Sequence, residues 1–267
     1  MRISLAVVEK YNGVILYRGP SMLNGKPIVV VATGLRDVSK NVKTGKFIQT
    51  YILSDEGERP TDALNSGLDE SVCGDCIHRK KDGWGTCYVN HGQGPNRVYR
   101  AVLAGSYPEF STNMLDSDFS GRVIRLGSYG DPCALPIKVW DRILVVTDGW
   151  TGYTHQWRHP SFQNYKKYCM ASVESEKDLK LAREMGWRTY RIRSSIDDPL
   201  MPLEFVCPAS SEAGYRLSCE NCMACSGGNA EKASVTIVSH GTHYKVKRLA
   251  MKLNRLKGKK RKLIPLR

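Results

Sequence analysis

A chain of 267 residues, 41% of them hydrophobic, is long enough for a full core in one domain or two. No apolar run approaches the roughly 20 residues of a membrane span, and Met1 to Lys10 is too short an apolar run for a signal peptide. The expectation is therefore a cytoplasmic protein with reduced thiols and no membrane partner. The net charge of +14 is uneven: residues 245 to 267 hold eleven Lys and Arg and no acid, which leaves +3 for the 244 residues before them.

Residues 1–69 read as an N-terminal β region. Val14 to Tyr17, Ile28 to Ala32 and Phe47 to Leu53 are β-rich runs punctuated by the turn signals Asn24-Gly25 and Thr44-Gly45, so a hairpin or small sheet is predicted, with a short helix near Pro60. The body, 70–244, opens on Cys73-Gly-Asp-Cys76 and returns to Cys87-Tyr88 after a polar excursion. Buried structural cysteines sit in apolar runs, whereas these lie beside glycine and charge, which points to metal ligation. His78, beside Cys76, reads as a solvated loop residue, with a spare metal ligand as the alternative.

Strands and helices then alternate. A helix is predicted over 96–103, a strand over 123–126 running into Gly127-Ser-Tyr-Gly130-Asp131-Pro132, and a helix over 136–146. Strands follow at 152–157 and 168–173, a helix at 178–185 stopped by Gly186, and strands at 188–192, 204–207 and 234–239. This alternation predicts an α/β fold with parallel βα units, a partial TIM-like barrel carrying cysteine-rich loops, or an open sheet. In such folds the loops after strand C-termini gather on one face. Here those loops carry Asp131, Thr154-His155, Glu174, Arg193 and Cys207.

Cys207-Pro208 followed by Cys219-x2-Cys222-x2-Cys225 is the most specific motif. Its tight spacing suits an iron–sulfur cluster, and zinc remains an alternative with Cys207 as fourth thiolate. Cys133 and Cys169 stand alone and read as packing residues. Residues 245–267 read as a polycationic tail that meets nucleic-acid phosphates through Lys245, Lys247, Arg248, Lys252, Arg255, Lys257, Lys259, Lys260, Arg261 and Lys262.

The order of a three-cysteine loop ending in Cys87-Tyr88, a helix, and a strand ending in Gly127 to Pro132 resembles the radical S-adenosylmethionine (SAM) barrel enzymes. The resemblance implies a [4Fe-4S] cluster on Cys73, Cys76 and Cys87, SAM on the open iron, and contacts to SAM from Tyr88, Gly127, Gly130 and Asp131. Asp131 and Glu174 are the candidate catalytic residues, Asp131 facing the SAM amino group in that layout and both able to hold a divalent cation. Residues 70 to 230 are also similar to phage and mobile-element proteins of the "gene product 88" kind, through Cys87-Tyr88, Gly130-Asp131, Tyr153-Thr154, Ser172-Val-Glu174 and Cys207-Pro208 to Cys225. That likeness implies a viral or mobile-element origin. Three functions follow as expectations: an iron–sulfur, radical-SAM-like enzyme acting on nucleic acid, with one or two clusters; a DNA-binding replication or genome-handling protein with structural zinc or iron–sulfur sites; or a metal-dependent nuclease or nicking initiator using Asp131, Glu174, His155, His240 and His243.

Overall fold

The structure, a computed structural model, describes residues 11–38, 44–80 and 85–256. Strands β1 (Gly13–Pro20) and β2 (Pro27–Thr33) form the predicted hairpin, and β2 pairs antiparallel with β3 (Ile48–Ser54). The turn rests on Asn24, whose side chain accepts from the Lys26 amide, and on Gly25 at φ 76°. β2 reads Pro-Ile-Val-Val-Val-Ala-Thr with no polar alternation because it lies between two strands with both faces covered.

Helices α1 (Pro60–Ser66), α2 (Glu70–Cys73) and α3 (Gly94–Leu103) lead to β4 (Val123–Tyr129), which pairs parallel with β3. Then come α4 (Ile137–Leu144), β5 (Gly149–Thr154), β6 (Met170–Val173), α5 (Glu176–Glu184), β7 (Thr189–Arg193), β8 (Glu204–Val206), α6 (Cys219–Cys222), β9 (Ser234–Val238) and α7 (His243–Leu256). α5 starts where Ser175 accepts from the Asp178 amide, and Gly186 at φ 80° follows its last turn.

Among the described residues one nine-stranded sheet runs β1-β2-β3-β4-β5-β6-β7-β9-β8, parallel from β3 onward. The α/β class and the N-terminal hairpin stand, and the sheet is open rather than closed into a barrel, with β1 and β8 at its edges among those residues. Residues 69 and 70 mark no break, since β3 and β4 pair and one apolar cluster spans both regions. On one face Trp140, Trp157, Leu179 and Ala182 are buried between sheet and helices. The opposite face carries Arg125, Thr151, Tyr153, Ser172, Tyr190, Ile192, Val235 and Ile237, which line a cavity.

The basic segment is not a free tail over its first half. Residues 243–256 form α7, an amphipathic helix with Leu249 buried. Lys245 Nζ donates to the Cys87 carbonyl at 2.6 Å, and Lys252 Nζ donates to the Ile77 carbonyl. Those two ammonium groups, assigned to phosphates from the sequence, instead hold α7 against the cysteine loop. Lys247 is exposed, and Arg248 lies over the Tyr244 ring at 4.1 Å. Lys257, Lys259, Lys260, Arg261, Lys262 and the side chain of Arg255 lie outside the described residues.

Candidate metal centre

The Cys73–Cys87 loop is built from the inside. α2 ends at Cys73, the Cys76 amide returns to the Cys73 carbonyl at 3.0 Å, and the Cys87 amide donates to the His78 carbonyl at 3.0 Å. The last bond closes the excursion between residues 80 and 85, so distant spacing becomes proximity. Beneath it Arg79, 5% exposed, pairs with Asp69 at 2.7 Å and donates to the Gly74 and Gly67 carbonyls. Burial pushes the Cys73 thiol well above its ordinary value, with Cys76, Asp69 and Cys87 adding to it. Burial, with Cys76 nearby, pushes Cys87 up to about 12. These groups are neutral thiols at neutral pH, and a bound cation would displace their protons.

Asp131 does not face the cavity. Oδ1 accepts from the Cys133 amide at 3.0 Å and the Thr154 hydroxyl at 2.7 Å; Oδ2 accepts from the His155 amide at 2.9 Å and Gln156 Nε2 at 3.2 Å. A carboxylate has about four acceptor positions, and all four are filled. The expected contact to a SAM amino group is corrected accordingly: Asp131 is a positioning residue. Its partner Gln156 reaches on to the Cys73 carbonyl and the Asp75 amide, tying the cysteine loop to the ends of β4 and β5. Gly127 and Gly130, the other implied cofactor contacts, have φ 69° and 91°, and a Cβ would meet the Gly130 carbonyl oxygen at 2.4 Å and Ile52 Cβ at 2.6 Å respectively. The turn requires glycine there for packing.

Glu174, at the end of β6, meets two imidazoles instead. Its Oε1 accepts from His155 Nε2 at 2.7 Å and lies 3.6 Å from His78 Nε2. Among the described residues, His78, His155 and Glu174 are the one group of three His, Cys, Asp or Glu residues whose ligand atoms all lie within 4.8 Å of one another. His78 is buried rather than solvated, at 6% exposure. Its Nδ1 pairs with the Thr86 hydroxyl at 2.9 Å, which turns Nε2 toward Glu174, and Nε2 has no hydrogen-bond partner among the described residues. Burial holds His78 below its ordinary value, with Glu174 pulling the other way. Burial would lower His155 too, but Cys76 and Glu174 outweigh it and raise it well above. Burial opposes ionisation of Glu174, and His155 and His78 reverse this and hold it below the usual carboxylate range. Two imidazoles and a carboxylate suit zinc or ferrous iron with open coordination positions. Sequence inspection named His155 and Glu174 but placed His78 in solvent. His240 and His243 are exposed and stand apart from this group, His240 on the cavity rim.

Cys207, Cys219, Cys222 and Cys225 line one cavity, but among the described residues no three of their sulfurs lie within 4.8 Å of one another, so the structure does not draw them into the compact group that the spacing predicts. Cys207 follows β8, its amide bonded to the Thr236 carbonyl at 2.8 Å. α6, capped by Ser218, carries Cys219 and Cys222, and Met223 turns left-handed at φ 47° to bring Cys225 back to β5, where its carbonyl accepts from the Gly152 amide at 3.0 Å. Burial pushes Cys225 up to about 12; a hydrogen bond from Tyr153 opposes this, and Cys207, Cys219 and Cys222 add to it. Cys133 and Cys169 are fully buried in the core.

A cavity of about 350 Å³ lies over the sheet. Cys207, Cys219, Cys222 and Cys225 wall one side, and His78, Thr86 and Tyr88 from the first loop wall another. The comparisons found no matching family model, no matching curated protein and no matching solved structure.

Proposed function

We propose that this chain is an iron–sulfur metalloprotein, radical-SAM-like in layout and of phage or mobile-element type, acting on a nucleic-acid base or nucleotide. The observation that carries the reading is the cavity walled by four cysteines on one side and by the three-cysteine loop's residues on another. The chemistry of the donors supports it. Zinc on thiolates needs Zn–S distances of about 2.3 Å, which brings the sulfurs close together. No three cysteines among the described residues have their sulfurs within 4.8 Å of one another, so the iron–sulfur assignment rests on the sequence spacing and on the cavity these cysteines line. Cys73, Cys76 and Cys87 would hold one cluster; Cys207, Cys219, Cys222 and Cys225 would hold a second. When bound, an iron–sulfur centre supplies electrons to a substrate in the cavity. The protein's own residues then have defined tasks: Gln156 and Arg79 fix the loop, Tyr153 lines the cavity beside Cys225, and α7 covers the loop carbonyls. With Asp131 saturated, SAM rests on resemblance alone, as does the phage or mobile-element type. The basic residues after 256 would meet nucleic-acid phosphates, with affinity falling steeply as salt rises.

Anaerobic purification tests the reading. Brown protein with iron and sulfide, yielding 5′-deoxyadenosine from SAM and a reductant, is the expected result. Colourless protein holding zinc and no iron would overturn it.

A second reading is favoured by the compactness of His78, His155 and Glu174. One divalent ion there would activate water against a phosphodiester, with His155 or Glu174 close enough to move its proton. Metal-dependent cleavage of single-stranded or duplex DNA, lost in Glu174→Gln while iron content is kept, would support it. Cleavage that survives Glu174→Gln would exclude it.

A further inference from the structure

Arg125 is a cation set into the cavity wall, with no carboxylate paired to it among the described residues. It lies on β4 between Gln49 of β3 and Thr151 of β5, and its side chain lines the cavity with Tyr88, Tyr153, Tyr190 and Cys219. Its Nη2 donates to the Tyr88 hydroxyl at 3.1 Å, and its Nε, shielded from solvent, has no hydrogen-bond partner among the described residues. The other arginines on strands are all answered by carboxylates: Arg18 by Asp55, Arg191 by Glu204 and Arg193 by Glu212. Arg125 forms no ion pair among the described residues, although a guanidinium in a poorly solvated site is costly without a counter-charge. Its forked donors match the two oxygens of a carboxylate or phosphate.

The surroundings supply the rest of a ligand site. The Tyr153 and Tyr190 rings lie 4.5 Å apart between centroids, and both line the cavity beside Arg125. A volume of about 350 Å³ accommodates a small ring-bearing molecule, and the wall is mostly apolar apart from these few polar groups.

We infer that the cavity holds an oxyanion subsite centred on Arg125, and that its ligand is a small molecule joining a carboxylate or phosphate to a flat ring. The guanidinium takes the oxyanion, Tyr88 orients the guanidinium, and Tyr153 and Tyr190 face the ring. This names the substrate class of the chamber described above and rests on that reading only for its chemical consequence, since binding itself needs no cluster.

The test is equilibrium binding to the full chain, with metal content recorded, using phenyl phosphate, benzoate and neutral phenol as probes. At least one anion should bind about tenfold or more tightly than phenol, since a charged forked contact is lost with the anion. Phenyl phosphate ahead of benzoate marks the natural ligand as a phosphate ester, and the reverse order marks it as a carboxylic acid. Arg125→Gln should abolish the preference over phenol, and Arg125→Lys should weaken it, keeping the charge without the fork. If Arg125→Gln fails to fold, Arg125→Lys and the wild-type comparison with phenol carry the test. Equal binding of phenol and both anions, or no probe bound by folded protein, overturns the inference. So does wild-type affinity in Arg125→Gln; in that case the partner of Arg125 is the neighbouring Cys219 group. A colourless, zinc-bearing protein that still prefers the anion would end the iron–sulfur reading and leave the subsite standing.

Discussion

Replacing Asp131 with Asn changes one atom's chemistry and little of its shape, so its cost measures the hydrogen-bond network directly. The carboxylate receives four donors at 2.7 to 3.2 Å while 5% exposed. In Asn the amide nitrogen must oppose two of them. The cheaper orientation points it at the Cys133 amide and the Thr154 hydroxyl, because the hydroxyl can turn and accept. That leaves the Cys133 amide unsatisfied and weakens the remaining bonds by removing their charge. An unsatisfied buried donor costs about 1–3 kcal/mol and charge-assisted bonds exceed neutral ones, so the expected loss is about 2–4 kcal/mol. That is a large share of a typical stability of about 5–15 kcal/mol, yet compatible with folding. Urea denaturation followed by tryptophan fluorescence suits the measurement, because Trp140 is fully buried and donates to the Pro132 carbonyl beside the site. Metal bound by the Cys73–Cys87 loop should fall in parallel, since Gln156 links Asp131 to the Cys73 carbonyl. A stability change within about 0.5 kcal/mol, the range of ordinary surface substitutions, would refute the network as the loop's anchor.

Three further outcomes are expected. Cys222→Ser should release metal from the second cysteine group and open the segment around the exposed Tyr215 to protease; unchanged metal content would sink that assignment. Removing both clamps with Lys245→Ala and Lys252→Ala should speed amide hydrogen exchange in 77–80 and 85–88, at about 1–3 kcal/mol per lost charged bond; unaltered exchange there would show that α7 is held by other contacts. Burial, together with the charge of Lys245, holds His91 below its ordinary value, so the unfolded chain takes up the proton first. The His91 contribution is therefore complete above about pH 6.5 and is lost as pH falls from there through the folded value. His91→Gln should flatten the acid limb of the stability profile, and an unchanged limb would remove His91 as its cause.

The strands were legible because their signal is local. β-branched runs, an Asn-Gly turn and a Gly stop each act within a few residues, and β2, β6 and α5 fall close to where those signals put them. The spacing of the second cysteine group is equally local, its last three members lying within one short turn and its loop, but among the described residues these cysteines line a cavity without three sulfurs coming within 4.8 Å of one another. What failed was environment. His78 looks solvated among Arg and Lys, but the loop folds inward and places it against Glu174, 96 residues away in sequence. Asp131 sits where the motif puts it, yet no motif reveals that four donors already occupy it. The docking of α7 had a signal that charge obscured: Val246, Leu249 and Leu253 recur at helical spacing, and Lys245 and Lys252 lie on one face seven residues apart.

The electrostatics of the site connect these pieces. Around the first loop the interior already balances its fixed charges, with Arg79 on Asp69 and His155 on Glu174, while burial keeps Cys73 and Cys87 protonated. A cation that arrives there displaces protons rather than adding net charge, so metal affinity at this loop should climb with pH. Across the cavity the balance is different. Among the described residues the titratable neighbours of Arg125 are tyrosines and a thiol, and the charge that would complete it must come from deprotonated cysteines or from a ligand. Metal loading of the Cys219 group would leave thiolates beside Arg125 and weaken its pull on an incoming anion. The anion affinity of the cavity and the metal state of its wall are thus coupled through one guanidinium, and the coupling is strongest where water is fewest.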